Sequence, residues 1–248
     1  MPPVNHAIGT PFIELQQVES TNNYATALVH AGMAHHGISV FAHHQTKGKG
    51  QRNKSWQAAP GENITTSIII EPATLTISKA FGLSKAIAIA CHQFIQSYAG
   101  DEAKIKWPND IYWRDRKAGG ILIENIISGT QWKFAIAGIG ININQIYFPE
   151  LAHAVSLKQI TGKSYDIINL VKELYKHIES NLELLKKDSA AVDEAYHNQL
   201  YKLNETVKLK KNNRVFETTI IGVSPMGQLQ TKQSVDEAFD VGEVEWII

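Results

Sequence analysis

Apolar and polar positions along this 248-residue chain follow two periods, and the changes from one to the other outline its elements. Residues 12–18 read as a first strand and 38–43 as a second. Residues 63–70 alternate and are rich in β-branched side chains, which suits a third. Between the first two, Ser20, Thr21 and Asn22 have short polar side chains that accept early helix N–H bonds, so a helix is expected from there to about residue 35. Residues 76–97 carry long helical spacing, with Phe81, Ile87, Cys91 and Ile95 as inward positions. A strand over 103–107 should stop at Pro108, which lacks a ladder donor. Further strands are expected over 111–113, 120–127 and 132–139.

The second half opens on an amphipathic helix over 165–185, where Ile168, Val171, Leu174, Tyr175, Ile178 and Leu182 recur every three or four positions. A shorter helix over 190–197 follows. The period then falls to that of short strands at 206–209, 215–223, 229–231 and 243–248, punctuated by Asn212-Asn213 and Pro225-Met226-Gly227. This cadence predicts a mixed α/β (α+β) sheet domain over residues 1–200 and a small β-barrel over 201–248 packed on it. So short a C-terminal stretch cannot bury a large core of its own.

Composition narrows the class. The 24 basic and 24 acidic residues cancel, so no global field draws the chain to nucleic acid or to a membrane. The single cysteine, Cys91, excludes an intrachain disulfide and lies in an apolar run, which marks it as a buried thiol. No stretch reaches the roughly 18 apolar residues of a membrane span, and no signal-peptide pattern opens the chain, so a cytoplasmic protein is expected.

Candidate chemistry gathers in four places. Residues 45–56 hold Gly48 and Gly50 among Lys47, Lys49, Arg52 and Lys54, with no acidic residue beside them in sequence. Glycines admit close backbone approach and cations surround a phosphate or carboxylate, although a solvated mobile loop fits the same residues equally well. The Gly-Lys-Ser/Thr ending of a P-loop is absent. Trp56 either covers an apolar ligand face or anchors the loop in the core. Then come Lys106-Trp107-Pro108-Asn109-Asp110, the run from Lys117 through Gly119-Gly120 to Glu124, and Gly138-Ile139-Gly140-Ile141-Asn142. By themselves, Lys117 reads as a solvated member of a charged run, Asn109-Asp110 as a turn, and the glycines as β-bulges. His35-His36 and His43-His44 complete no metal-ligand quartet. Trp107 and Trp132 read as core or ligand-wall residues. Lys208, Lys210, Lys211 and Arg214 read as a solvated edge.

Taken in order, these pieces resemble the biotin protein ligases, enzymes that adenylate biotin and pass it to a lysine of a carrier protein. Lys106 to Asp110, Lys117 to Glu124 and Gly138 to Asn142 match that family's three separated motifs, and Ser20-Thr21-Asn22 looks like its Ser-Thr-Asn element. The loop departs from the pattern, with Lys49 and Gln51 where arginines are common and Asn53 where glycine is common. The resemblance implies a biotin/lipoate-ligase-like domain with an SH3-like C-terminal barrel, and it implies site roles. Lys117 and Asp110 would be catalytic. Ser20, Thr21, Asn22, Gln45, Gly48, Lys117, Gly120, Gly138 and Gly140 would bind biotin. Lys49, Gly50, Gln51, Arg52, Asn53, Trp56, Asn109 and Asn142 would bind ATP or the adenylate. ATP and biotin would be substrates, with Mg²⁺ carried on ATP phosphates near Asn142 and no protein-only metal site. The expected partner is a biotin carboxyl carrier protein, with a homodimer compatible. Sequence-specific DNA binding is not expected, because the catalytic pattern starts almost at once. A lipoate or octanoate ligase on a related fold is the competing reading.

Overall fold

The computed structural model describes residues 6–72, 75–149 and 153–247. Its centre is a seven-stranded mixed sheet of order β1-β2-β3-β7-β6-β5-β4, in which only the β1/β2 pair is parallel. The strands are β1 (Phe12–Val18), β2 (Ser39–Gln45), β3 (Asn63–Ile70), β4 (Ala103–Lys106), β5 (Asp110–Trp113), β6 (Arg116–Ser128) and β7 (Gln131–Asn142).

Side-chain alternation divides this sheet into two unlike faces. On one, Ile64 and Ile68 of β3, Ile105, Ile111, Ile121 and Ala137 to Ile141 at alternate positions join α2 (Ala80–Ala99), α4 (Ile167–Lys187) and α5 (Ser189–Asn198) in the main core. Cys91 is fully buried there, and burial pushes its thiol pKa well up, so it is a packing residue. On the other face, Ile69 and Ile136 pack with Ala25 of α1 (Thr21–His30). The same face carries Gly120, Leu122, Glu124, Gly138 and Gly140, where it is open as a cleft.

Element boundaries shift for identifiable reasons. The first helix ends at His30, short of 35, because Ala31 caps it and Gly32 turns into the left-handed region at φ 69°. Before α2, a 3-10 turn spans Ile77–Lys79, so the α-helix starts later than its spacing suggests. β6 and β7 are longer than expected and meet at Gly129, φ 59°. A helix that periodicity did not mark, α3 (Leu157–Thr161), is held by a reciprocal cap in which Ser156 accepts from the Gln159 N–H and the Gln159 side chain accepts from the Ser156 N–H.

The C-terminal residues form a separate antiparallel sheet of order β11-β10-β9-β8-β12. It comprises β8 (Thr206–Lys211), β9 (Arg214–Val223), β10 (Leu229–Lys232), β11 (Asp236–Phe239) and β12 (Glu245–Ile247). β11 was not expected, and Ile248, placed by sequence in the last strand, lies outside the described residues. Trp107 joins the two sheets. Its ring lies in the cluster of Leu209, Ile220, Leu229, Phe239 and Val244, and its indole N–H donates to the Gly227 carbonyl at 2.8 Å.

Candidate functional site

A cleft of about 570 Å³ opens on the α1 face of the main sheet, walled on its far side by Val241, Gly242 and Val244 of the β11–β12 turn and by Glu245 and Trp246 of β12. Three glycines set its depth. A Cβ on Gly138 would overlap the Asn22 carboxamide, and one on Gly140 would lie 2.5 Å from Trp56 Cζ2. One on Gly120 would stand 3.3 Å from Lys117 Nζ and Asp110 Oδ1. The missing side chains are therefore the space into which Asn22, Trp56 and the Lys117–Asp110 pair fit.

At one end lies a buried polar cluster. Ser20 caps α1, which places the next residues over the sheet, and the Thr21 N–H donates to Gln45 Oε1 at 2.7 Å. The Thr21 hydroxyl donates to the same oxygen, at 3.1 Å. Ser67 Oγ lies 2.7 Å from Thr21 Oγ1 and 2.6 Å from Asn22 Oδ1. Asn22 Nδ2 donates to Glu124 Oε2 at 2.7 Å, and the other Glu124 oxygen accepts from Lys49 at 3.1 Å. Sequence reasoning missed Ser67. Its signal was a hydroxyl on the same face of β3 as Ile69, in a strand otherwise dominated by isoleucine and threonine.

At the other end Lys117 Nζ bonds Asp110 Oδ1 at 2.6 Å, both partly exposed, and sits 5.9 Å from the Trp56 ring centre. The segment after β7 holds this lysine by its backbone. The Lys117 N–H donates to the His153 carbonyl at 2.6 Å, and the Val155 N–H donates to the Lys117 carbonyl at 2.9 Å. Lys106, the residue facing Asp110 across the β4–β5 hairpin, is only 8% exposed. Burial outweighs the attraction of Asp110 and lowers its pKa to about 8.

The loop at 45–56 is a small hairpin. Gly50 N–H donates to the Lys54 carbonyl at 2.7 Å, and Trp56 N–H to the Gly48 carbonyl at 2.9 Å. A Cβ on Gly48 would overlap the Trp56 carbonyl oxygen, which accounts for that glycine. Two of its four cations have carboxylate partners remote in sequence: Lys47 pairs with Glu19 at 2.7 Å and Lys49 with Glu124. Arg52 and Asn53 both take left-handed backbone, φ 56° and 62°, a conformation asparagine tolerates better than most residues. The Arg52 guanidinium packs on Gly242 of the β11–β12 turn, 2.7 Å from where a Cβ would be.

Of the residues singled out from sequence, Ser20, Thr21, Asn22, Gln45, Lys49, Gly50, Gln51, Arg52, Trp56, Asn109, Asp110, Lys117, Gly120, Gly138 and Gly140 line this one cleft. Gly48, Asn53 and Asn142 do not. Asn142 is 3% exposed, and its Nδ2 donates to the carbonyls of Lys117 and Val155 at 3.3 and 3.2 Å, which commits the side chain to bracing the backbone around Lys117. Asn109 similarly donates its amide to the Ile121 carbonyl. Among the described residues no three His, Cys, Asp or Glu side chains gather as a metal site. His43 instead pairs with Glu14 at 2.7 Å.

The family model for the biotin/lipoate A/B protein ligase family matches residues 14–142. The bifunctional ligase/repressor BirA of Bacillus spizizenii is 33% identical over 67% of this chain and 52% of its own length. The biotin–[acetyl-CoA-carboxylase] ligase of Mycobacterium tuberculosis is 26% identical over 67% of this chain and 62% of its own length. These matches thus span roughly half to three fifths of the relatives' lengths. Among solved structures, the biotin protein ligase from Aquifex aeolicus in complex with biotin and ATP superposes with a TM-score of 0.79 at 25% identity, over 94% of this chain and 97% of the other.

Proposed function

The chain belongs to the biotin/lipoate A/B protein ligase family, and on that premise we propose that it is an ATP-dependent biotin protein ligase acting in two steps. The observation that carries this reading is the two-ended cleft. One end is a fixed cluster of amide and hydroxyl groups around Thr21, Asn22, Gln45 and Ser67, and the other is the Lys117–Asp110 pair beside a cationic hairpin. Biotin has a polar ureido head on an apolar bicycle and ends in a carboxylate, so it needs both ends. Lipoate and octanoate lack the ureido group and would offer this polar end no bonds in exchange.

In the first step a biotin carboxylate oxygen attacks the α-phosphorus of ATP, and pyrophosphate leaves. Both reactants are anions, so Lys117 is the residue to hold the carboxylate and offset charge on the α-phosphoryl oxygens. Mg²⁺ held on ATP phosphates would supply further charge neutralisation, with no ligand cluster required of the protein. In the second step the amine of a carrier lysine attacks the acyl carbon of biotinyl-5′-adenylate, an amide bond forms and AMP leaves. Presenting that amine neutral at pH 7.4 costs about 4 kcal/mol from an ordinary lysine pKa. Asp110, bonded to Lys117, or a nearby water would accept its proton. The carrier is a biotin carboxyl carrier protein or domain, and residues 201–248 act as a small SH3-like domain that completes the cleft wall.

Radiolabelled ATP mixed separately with biotin, lipoate and octanoate tests the reading. Adenylate should form with biotin, and the label-free product should appear on a purified carrier. Adenylation with lipoate or octanoate alone would overturn it.

A further inference from the structure

The Lys117–Asp110 pair leaves a second lysine of the cleft without a counter-ion. Lys106 stands directly opposite Asp110 in the β4–β5 ladder, but the Asp110 carboxylate is bonded to Lys117 at 2.6 Å. What remains for Lys106 is a phenol. Its Nζ donates to the Tyr112 hydroxyl at 3.1 Å, and it sits 4.5 Å from the Tyr112 ring centre and 5.3 Å from that of Trp246. Among the described residues no carboxylate is bonded to it, and the residue as a whole is buried. Lys106, Lys117, Arg52 and Lys54 face two carboxylates at this end of the cleft, Asp110 and Glu245, and Asp110 is already bonded to Lys117, so positive charge is in excess. An ammonium desolvated to this degree, with one neutral acceptor for three donors, is costly to keep unless a ligand completes its shell.

We propose that Lys106 is an anion-holding residue of this cleft, taking a phosphate oxygen of the bound nucleotide between the faces of Tyr112 and Trp246. The assignment rests on the ATP-dependent reading above and extends it to the second sheet, because Trp246 belongs to β12. The two flat rings keep the ammonium on one line and shield it from water. An oxygen anion entering the cleft then meets it at low dielectric.

The charge is also titratable in an accessible range. The groups facing Lys106 are Asp110 and Tyr112 from β5, Lys117 from β6, Lys54 from the hairpin, and Glu245 with Trp246 from β12. Tyr112 is pushed above the ordinary phenol range by burial and by Asp110, so it stays neutral. Lys106 itself titrates near 8 in the free protein. An anion raises that value, so nucleotide binds the protonated form and weakens as pH rises. From pH 7.5 to 9 the protonated fraction, and with it the affinity, should fall roughly eightfold.

The test is calorimetric titration of the biotin-loaded full chain with α,β-methylene ATP and Mg²⁺ at pH 7.5 and 9. Wild type should lose affinity by that factor. Lys106→Met should bind the analogue at least tenfold more weakly at pH 7.5, with a flat pH response and biotin affinity within twofold of wild type. Lys106→Arg, which cannot deprotonate in this range, should retain binding better than Lys106→Met and also be flat. An unchanged affinity and slope in Lys106→Met would overturn the proposal, as would an equal loss of biotin and nucleotide in both variants. The parent reading fails separately, if wild type forms no biotin-dependent adenylate from labelled ATP.

Discussion

Gly138→Ala is the sharpest probe of how the cleft is built. A Cβ there would overlap Asn22 Oδ1 and lie 2.9 Å from Asn22 Cγ, and β7 cannot retreat because it is paired along its length to β3 and β6. Asn22 must therefore rotate away from the sheet. It then loses its bond to the Glu124 carboxylate at 2.7 Å and its contact with Ser67 at 2.6 Å. A bond to a charged acceptor is worth about 2 kcal/mol and a neutral one about 1 kcal/mol, so the cost should be near 3 kcal/mol. For a chain of this length that corresponds to a Tm lower by roughly 6 to 12 °C. Urea denaturation of a double-mutant cycle isolates the cause. In an Asn22→Ala background the new methyl has room, and Gly138→Ala should cost less than about 1 kcal/mol. Equal cost in both backgrounds would refute the steric argument. Biotin affinity, read by calorimetry, should fall in Gly138→Ala because the displaced carboxamide belongs to the polar cluster.

Three further outcomes are expected. Lys117→Ala should fold normally yet lose about 3 kcal/mol of transition-state stabilisation, more than a hundredfold in adenylate formation by rapid quench. A near-wild-type rate would remove Lys117 from its role. Asn142→Ala should lower stability by about 1 to 3 kcal/mol, through the loss of its bonds to the Lys117 and Val155 carbonyls, and leave the Mg²⁺ dependence of the rate unchanged; an altered Mg²⁺ optimum at wild-type stability would instead put Asn142 at the metal. His92 is 1% exposed, and burial lowers its pKa below the ordinary 6.5. The unfolded chain thus binds the proton first on acidification. Stability is full above about pH 6.5 and declines as pH falls through that value toward the folded pKa. Denaturation at pH 7.5 and 5.5 should show a smaller difference in His92→Gln than in wild type.

Local pattern made much of this legible. β1 and β3 fall on the expected residues because each is a short run bounded by proline, Pro11 before the first and Pro60 and Pro72 around the second, and Thr21, Gln45 and Lys117 converge because their motifs are tied to strand ends and a helix cap. What stayed hidden depends on partners remote in sequence. Lys49 looks unpaired until β6 brings up Glu124, a contact that no local pattern signals. Asn142 follows a glycine pair as a ligand contact would, yet its register across from Asn63 and beside Lys117 turns it to backbone carbonyls. Trp246 had no motif at all. It reaches the cleft only because β12 pairs with β8 and Trp107 pins that sheet to the hairpin tip.

That pinning bears on how the molecule unfolds. The cleft has walls from two sheets whose apolar clusters meet through Phe81 and Val223 and are further joined by one indole bond, by Arg52 on Gly242 and by the strand-like segment near Tyr201. Whatever fills the cleft touches both clusters, so its binding free energy opposes their separation. Ligand at a hundred times its dissociation constant adds about 2.7 kcal/mol to that opposition. Occupancy thereby converts two adjoining cores into one cooperative unit, and the width of the melting transition becomes a gauge of how completely a ligand spans the gap.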